Sequence, residues 1–162
     1  MSKTDDFSAY QPDAVDLAIL GELQKNARLT LKELAQRVNL STTPVFERWK
    51  RLEQLGFISK YVTVLNPEAL HQTFTVFCMV KLRRLNVMIA EKFVQSVARL
   101  EEVTECYHIS GDYDYMLKIQ VPSIKVYKEF IINVLGHIDP IGSIVSHFVM
   151  DVVKQSYELP LD

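Results

Sequence analysis

The chain of 162 residues has little of what usually advertises a chemistry. Its two cysteines, Cys78 and Cys106, form no spaced pair. That excludes a disulfide framework and a cysteine-rich zinc site, and it fits a reducing, cytoplasmic setting. Its four histidines, His71, His108, His137 and His147, make no i, i+4 pair on a helix, so no metal site is expected. Cys106 and His108 fall on one strand face, but the further ligands a metal needs are missing, and they read as a packed or interface pair. Five scattered glycines exclude a glycine-rich phosphate loop. No Ser, Cys or Lys stands beside an evident activating base, so neither an enzyme nor a cofactor is expected. No apolar run approaches the roughly 20 residues of a membrane span, and the polar, partly acidic start is unlike a signal peptide. The formal net charge of −2 excludes a chain that is basic throughout.

What remains is informative. Apolar residues make up 48% of the chain, enough for a core in one large or two small domains. The first sixty residues carry nine Lys or Arg against eight Asp or Glu, whereas the rest is acidic. This small asymmetry has the right sign for an N-terminal part that meets DNA.

The stretch from Leu40 to Gly56 reads as a helix with both ends written in. Ser41 is the expected N-cap, its hydroxyl accepting from a first-turn N–H. Pro44 sits where a missing N–H costs little, and Gly56 can take a left-handed cap. Val45, Trp49 and Leu52 form the apolar stripe, with Phe46 at its edge. Thr43, Glu47, Arg48 and Arg51 fall opposite, flanked by Lys50. Alone, this pattern suits an ordinary amphipathic helix as well as one that enters a major groove. The preceding residues tip the balance. Asp13 to Leu23 reads as a first helix capped by Asp13, with Asp16 in its first turn and Val15, Ile19, Leu20 and Leu23 on its buried face. Thr30-Leu31-Lys32-Glu33 is a capping box that opens a second helix. Asn39 tolerates the left-handed conformation and turns the chain into Ser41. Two helices and a short turn make a helix-turn-helix over residues 13–60, preceded by a flexible N-terminus at 1–12. Ser41, Thr42, Thr43, Glu47, Arg48, Lys50 and Arg51 are the expected contacts to double-stranded DNA.

Phe57 to Leu65 switches to strand-forming residues and stops at Asn66-Pro67, which predicts a wing or linker strand within 61–70. Residues 71–153 then alternate: a strand at 72–82, a helix at 87–100, a strand at 103–110, a turn at Gly111-Asp112, a strand at 113–121, a helix from Ser123 to about Gly136, and a strand at 143–153. The order β-α-β-β-α-β predicts a ferredoxin-like α+β domain, with 154–162 as a tail. Phe74 to Val80 and Ile144 to Met150 are largely apolar on both faces. Two helices cover only one face of such a sheet, so a second copy is expected on the other. A two-fold operator makes the same demand.

These residues resemble the Lrp/AsnC family of bacterial and archaeal transcription regulators, most closely its leucine-responsive members. The likeness spans about Asp13 to Ser156. It rests on Asp13-x-x-Asp16-x-x-Ile19-Leu20-x-x-Leu23, on Leu40-Ser41-x-Thr43-Pro44 with Glu47-Arg48-x-x-Arg51-Leu52-Glu53 and Gly56-x-Ile58, on Leu65-Asn66-Pro67, and on Ser110-Gly111-Asp112-Tyr113-Asp114-Tyr115. Thr42 and Trp49 depart from the usual Pro and aliphatic residue. The resemblance implies a winged helix-turn-helix joined to a domain that binds a small amino acid, such as leucine or methionine, and assembles dimers into octamers or larger discs. It implies an effector site at Gly111, Asp112, Tyr113 and Asp114, which as residues alone read first as a plain turn. Decarboxylases of modified-tetrapyrrole synthesis share the two-domain plan, but an enzyme has no need of the hydroxyls and cations of the third helix. A regulator that needs no effector, acting as an architectural DNA-binding protein, is the other alternative.

Overall fold

The computed structural model describes residues 10–84 and 86–161; the expected flexible N-terminus falls largely outside them, at 1–9. The chain divides into two compact units, one of residues up to Val64 together with Lys154 onward, the other of Leu65–Val153.

The first unit holds three helices, α1 (Ala14–Lys25), α2 (Leu31–Arg37) and α3 (Thr42–Gln54). The helix ends follow the sequence closely. Asp13 caps α1 and forms a capping box with Asp16, and Thr30 does the same with Glu33 for α2. Asn39 (φ 54°) and Gly56 (φ 81°) both take the left-handed conformation. Each closes its helix with a paired C-terminal motif: Asn39 N–H donates to Gln36 O and Leu40 N–H to Ala35 O, while Gly56 N–H donates to Glu53 O and Phe57 N–H to Leu52 O. Ile19, Leu23, Leu34, Ala35, Val45 and Leu52 make the core, with Trp49 packed against its edge. The Trp49 indole N–H donates to Tyr61 Oη at 2.7 Å.

Three expectations need correction here. Ser41 occupies the N-cap position of α3 but makes no side-chain cap bond. The N-cap hydroxyl serves the second or third helical N–H, and the third helical residue is Pro44, which has none. Residues 59–66 form no strand. No other strand lies in this unit among the described residues, so the β-formers Tyr61, Val62, Val64 and Leu65 stay exposed without a ladder to join. The segment 154–161 is no free tail: the Gln24 side-chain amide donates to Leu159 O and accepts from Leu159 N, both at 3.0 Å.

The second unit contains β1 (Phe74–Leu82), α4 (Val87–Val97), β2 (Val103–His108), β3 (Tyr115–Val121), α5 (Ile124–Asn133) and β4 (Ile141–Phe148). The sheet order is β2-β3-β1-β4, all neighbours antiparallel. This is the ferredoxin-like plan the element order predicts. Asn86 and Ser123 cap the two helices through their side chains. Val76, Cys78, Val80, Leu117 and Ile119 alternate onto one sheet face and pack with Phe93, Val97, Tyr127, Phe130 and Leu135. The opposite face carries Phe77, Met79, Met116 and Val145. Most element ends shift by two or three residues, and two shifts have a clear physical reason. α5 ends at Asn133 and passes into a short 3-10 turn at Leu135–His137. β4 leaves the sheet after Phe148, because β1 begins at Phe74 and the last rung is Val149 N–H to Thr75 O.

Candidate functional site

α3 is amphipathic in the sense a groove-binding helix requires. Val45 and Leu52 are fully buried, while Ser41, Thr42, Thr43, Phe46, Glu47, Lys50 and Arg51 are exposed. The missing cap bond leaves the Ser41 hydroxyl at the mouth of the helix beside those of Thr42 and Thr43. A shallow concavity of about 590 Å³ runs along the outer face, lined by residues between Pro44 and Gln54. Lys50 Nζ stands 5.5 Å above the Phe46 ring, so its charge rests on that face.

Arg48 is placed differently from its neighbours. Its Nη1 lies 2.6 Å from Asp13 Oδ2 and 2.8 Å from Asp16 Oδ1. The Asp16 side chain is wholly buried, and it also accepts from Tyr10 Oη and the Asp13 backbone N–H. Burial pushes the Asp16 carboxyl up, but the hydrogen bonds from Tyr10, Arg48 and the Asp13 backbone outweigh it and hold the group below its usual range. Asp13 is lowered by backbone bonding at Asp16 and by Arg48. Arg48 is raised by the same two carboxylates, Asp16 first. Arg51 is held less tightly: its Nη2 is 3.8 Å from Asp16 and its guanidinium carbon lies 4.7 Å from the centre of the Tyr10 ring. Tyr10 also meets Phe57 edge-on, with ring centroids 6.0 Å apart, so residues from Tyr10 onward belong to this unit. Sequence reasoning missed this cluster although a signal existed. Asp16 lies at helical spacing from Ile19, Leu20 and Leu23, so it sits on the buried stripe of α1, and a buried carboxylate needs a cation.

In the second unit β2 and β3 are joined by residues 109–114, closed by Ile109 N–H to Asp114 O at 3.0 Å. The connection is longer than the tight turn expected. Gly111 has φ 112°, a conformation that favours glycine, and no atom stands within 4 Å of where a Cβ would be. Asp112 is exposed and Tyr113 half-buried. Asp114 is buried, with 6% exposure. Its Oδ2 accepts from Leu82 N–H at 2.8 Å and its Oδ1 lies 3.3 Å from Lys81 Nζ. The sequence expectation has both carboxylates meeting an ammonium group. The structure spends that of Asp114 on the end of β1, leaving Asp112 open. No group of His, Cys, Asp and Glu that could hold a metal occurs among the described residues. No helix is long and apolar enough to cross a membrane among them either.

A helix-turn-helix whose third helix exposes a polar face, joined to a separate ferredoxin-like domain, is the architecture of a DNA-binding protein with a second, appended domain. Residues 12–59 match the winged helix-turn-helix DNA-binding family and residues 75–159 the Lrp/AsnC ligand binding domain. The leucine-responsive regulatory proteins of Escherichia coli K12 and Klebsiella pneumoniae are each 41% identical over 147 residues, 91% of this chain and 90% of theirs. A transcriptional regulator from Neisseria meningitidis, solved with L-Met, superposes with a TM-score of 0.91 at 32% identity, covering 94% of this chain and 98% of that one. An AsnC family regulator from Agrobacterium tumefaciens gives 0.88 at 35%, covering 93% and 97%. The chain belongs to the Lrp/AsnC family and is a DNA-binding transcriptional regulator.

Proposed function

We propose that this regulator binds its DNA sites through Ser41, Thr42, Thr43, Glu47, Lys50 and Arg51, and that a small amino acid at the Gly111–Asp114 turn changes its assembly or its affinity for DNA. Leucine and methionine come before other amino acids, because the relatives include proteins named for leucine response and a regulator solved with L-Met. The observation that supports the DNA contacts is the exposed run Ser41, Thr42 and Thr43 at the start of α3, where the Ser41 hydroxyl makes no cap bond. At the turn, the exposed Asp112 carboxylate suits an ammonium group, and the backbone N–H groups around Gly111 suit a carboxylate. The open sheet face, with Phe77, Met79, Met116 and Val145, supports a homo-dimer through the second unit, and dimers of this kind build octamers or larger rings.

Coupling follows if the effector's affinity differs between assembly states. A coupling of about 1–3 kcal/mol changes DNA affinity about 5- to 150-fold. The test is calorimetric titration with leucine and methionine, alongside sedimentation with and without the ligand. Gly111→Val should abolish binding, because a β-branched residue resists the positive φ, and Asp112→Ala should weaken it. Unaltered affinity in both variants would place the effector elsewhere. No binding of any amino acid by the unaltered chain would leave an architectural regulator.

A further inference from the structure

We infer that Arg48 is a positioning residue which seats the recognition helix on α1 through Asp13 and Asp16, and that Arg51 is the arginine left to meet the DNA backbone. The inference rests on the DNA-binding reading above and refines which cations of α3 take part.

Three observations converge. One guanidinium nitrogen of Arg48 is shared between two carboxylates, at 2.6 and 2.8 Å, and both belong to the first turn of α1 and its cap. Asp16 is fully buried, so if Arg48 turned away to a phosphate, a charged carboxylate would remain inside the domain without its closest cation. Arg51 is 3.8 Å from the same carboxylate, with nearly half of its side chain exposed, against about a quarter for Arg48. Its guanidinium carbon lies 4.7 Å from the centre of the Tyr10 ring, a contact that asks for no particular hydrogen bond from its nitrogens. A surface arginine gives up little when it exchanges such a contact for a phosphate oxygen. α3 therefore carries two arginines one turn apart with different duties. Arg48 fixes the depth and tilt at which the N-terminal hydroxyls are presented, and Arg51 adds an anchor that ignores sequence.

Guanidinium geometry matters at Arg48. The terminal nitrogen Nη1 alone meets both carboxylates, and a lysine ammonium ends one bond nearer the backbone than that nitrogen, so it falls short of the pair. The network also reaches Tyr10, which packs against Phe57 just beyond the end of α3. The middle of the recognition helix and the residue just beyond its C-terminal end are thus both tied to the start of α1.

The test uses the full chain and two labelled probes: a duplex selected by the unaltered protein from a random pool, and the random pool itself. Fluorescence anisotropy between 50 and 200 mM KCl gives the affinity and its salt slope for each. One lost phosphate contact lowers the slope by about 0.9. Arg51→Gln should lower the slope on both probes by about that amount and leave the ratio of selected to random affinity intact. Arg48→Gln should leave the slope unchanged but cut that ratio at least tenfold. Asp16→Asn should reproduce this loss, and the double variant should be no worse than either single one. Where Arg48→Gln fails to fold, Arg48→Lys carries the test, since it keeps the charge and loses the reach of Nη1; the slope should hold and the ratio should fall. A lower salt slope in Arg48→Gln, tighter binding in Asp16→Asn, or unaltered selectivity in Arg48→Lys would each overturn the assignment. If the unaltered chain selects no duplex, the DNA contacts and this inference fall together.

Discussion

Asp114 offers a sharp experiment, because two roles for it predict opposite patterns. As an anchor it holds the end of β1; as a ligand it would face an ammonium ion. Its Oδ2 accepts from Leu82 N–H at 2.8 Å, and both residues are buried. A hydrogen bond to a charged group contributes about 1.5–3 kcal/mol, and its loss leaves the Leu82 N–H unsatisfied in the core. The 3.3 Å contact to the half-exposed Lys81 adds about 0.2–1 kcal/mol. Asp114→Ala should therefore cost about 2–4 kcal/mol of the second unit's stability. A domain of this size loses about 4–8 °C per kcal/mol, so its melting temperature should fall by at least about 8 °C. Asp114→Asn keeps an oxygen for Leu82 N–H and should recover about half of the loss. Scanning calorimetry at one fixed protein concentration is the assay, since the melting of an oligomer depends on concentration. Ligand titration completes it: an anchor predicts near-normal effector binding in Asp114→Asn and weak binding in Asp114→Ala. Equal loss of binding in both variants, with melting within about 2 °C of the unaltered chain, would refute the anchor.

Other outcomes follow from the same geometry. Trp49→Ala should cost about 3 kcal/mol, the low end for an aromatic truncation because the ring is only partly buried; unchanged urea unfolding by circular dichroism, together with weaker DNA binding, would instead put the ring in the groove. Met79→Asp places a charge at the centre of the open sheet face, and the full chain should then sediment as a smaller species; an unchanged sedimentation profile removes that face from assembly. Burial pushes the Cys78 thiol up to about 11, with the Tyr127 hydrogen bond working the other way. The unfolded chain gives up this proton from its ordinary value of 9.0, so the contribution is intact below that pH and is lost as pH rises towards about 11. Calorimetry over that interval should show a shallower decline for Cys78→Ala; parallel curves would show that the thiol contributes nothing.

Where local chemistry decides, the structure follows the residues. Asp13, Thr30, Asn39 and Gly56 mark their helix ends because capping is a contact within a few residues. The strand order follows from the β-α-β-β-α-β rhythm, since apolar alternation and connection length leave few topologies. What was not legible depends on partners far along the chain. Arg48 looks like any cation on a helix face until Asp16, 32 residues earlier, is placed beside it. Asp114 looks like a turn residue until β1 supplies Leu82 N–H. Ser41 departs from its expected cap for a nearer reason: the third helical position, a usual capping partner, is a proline. The wing or linker strand expected within 61–70 shows the opposite limit, because β-propensity promises an extended chain but not a neighbour.

The Gln24–Leu159 amide clamp makes the DNA-binding unit depend on a segment that synthesis delivers last. The backbone leaves this unit at Val64 and returns to it at Lys154, so the unit is discontinuous in sequence. Its helices emerge first, and the segment that meets Gln24 emerges only after the whole of the second unit. A chain cut at Val64 would hold all three helices and still lack the partner of the Gln24 amide.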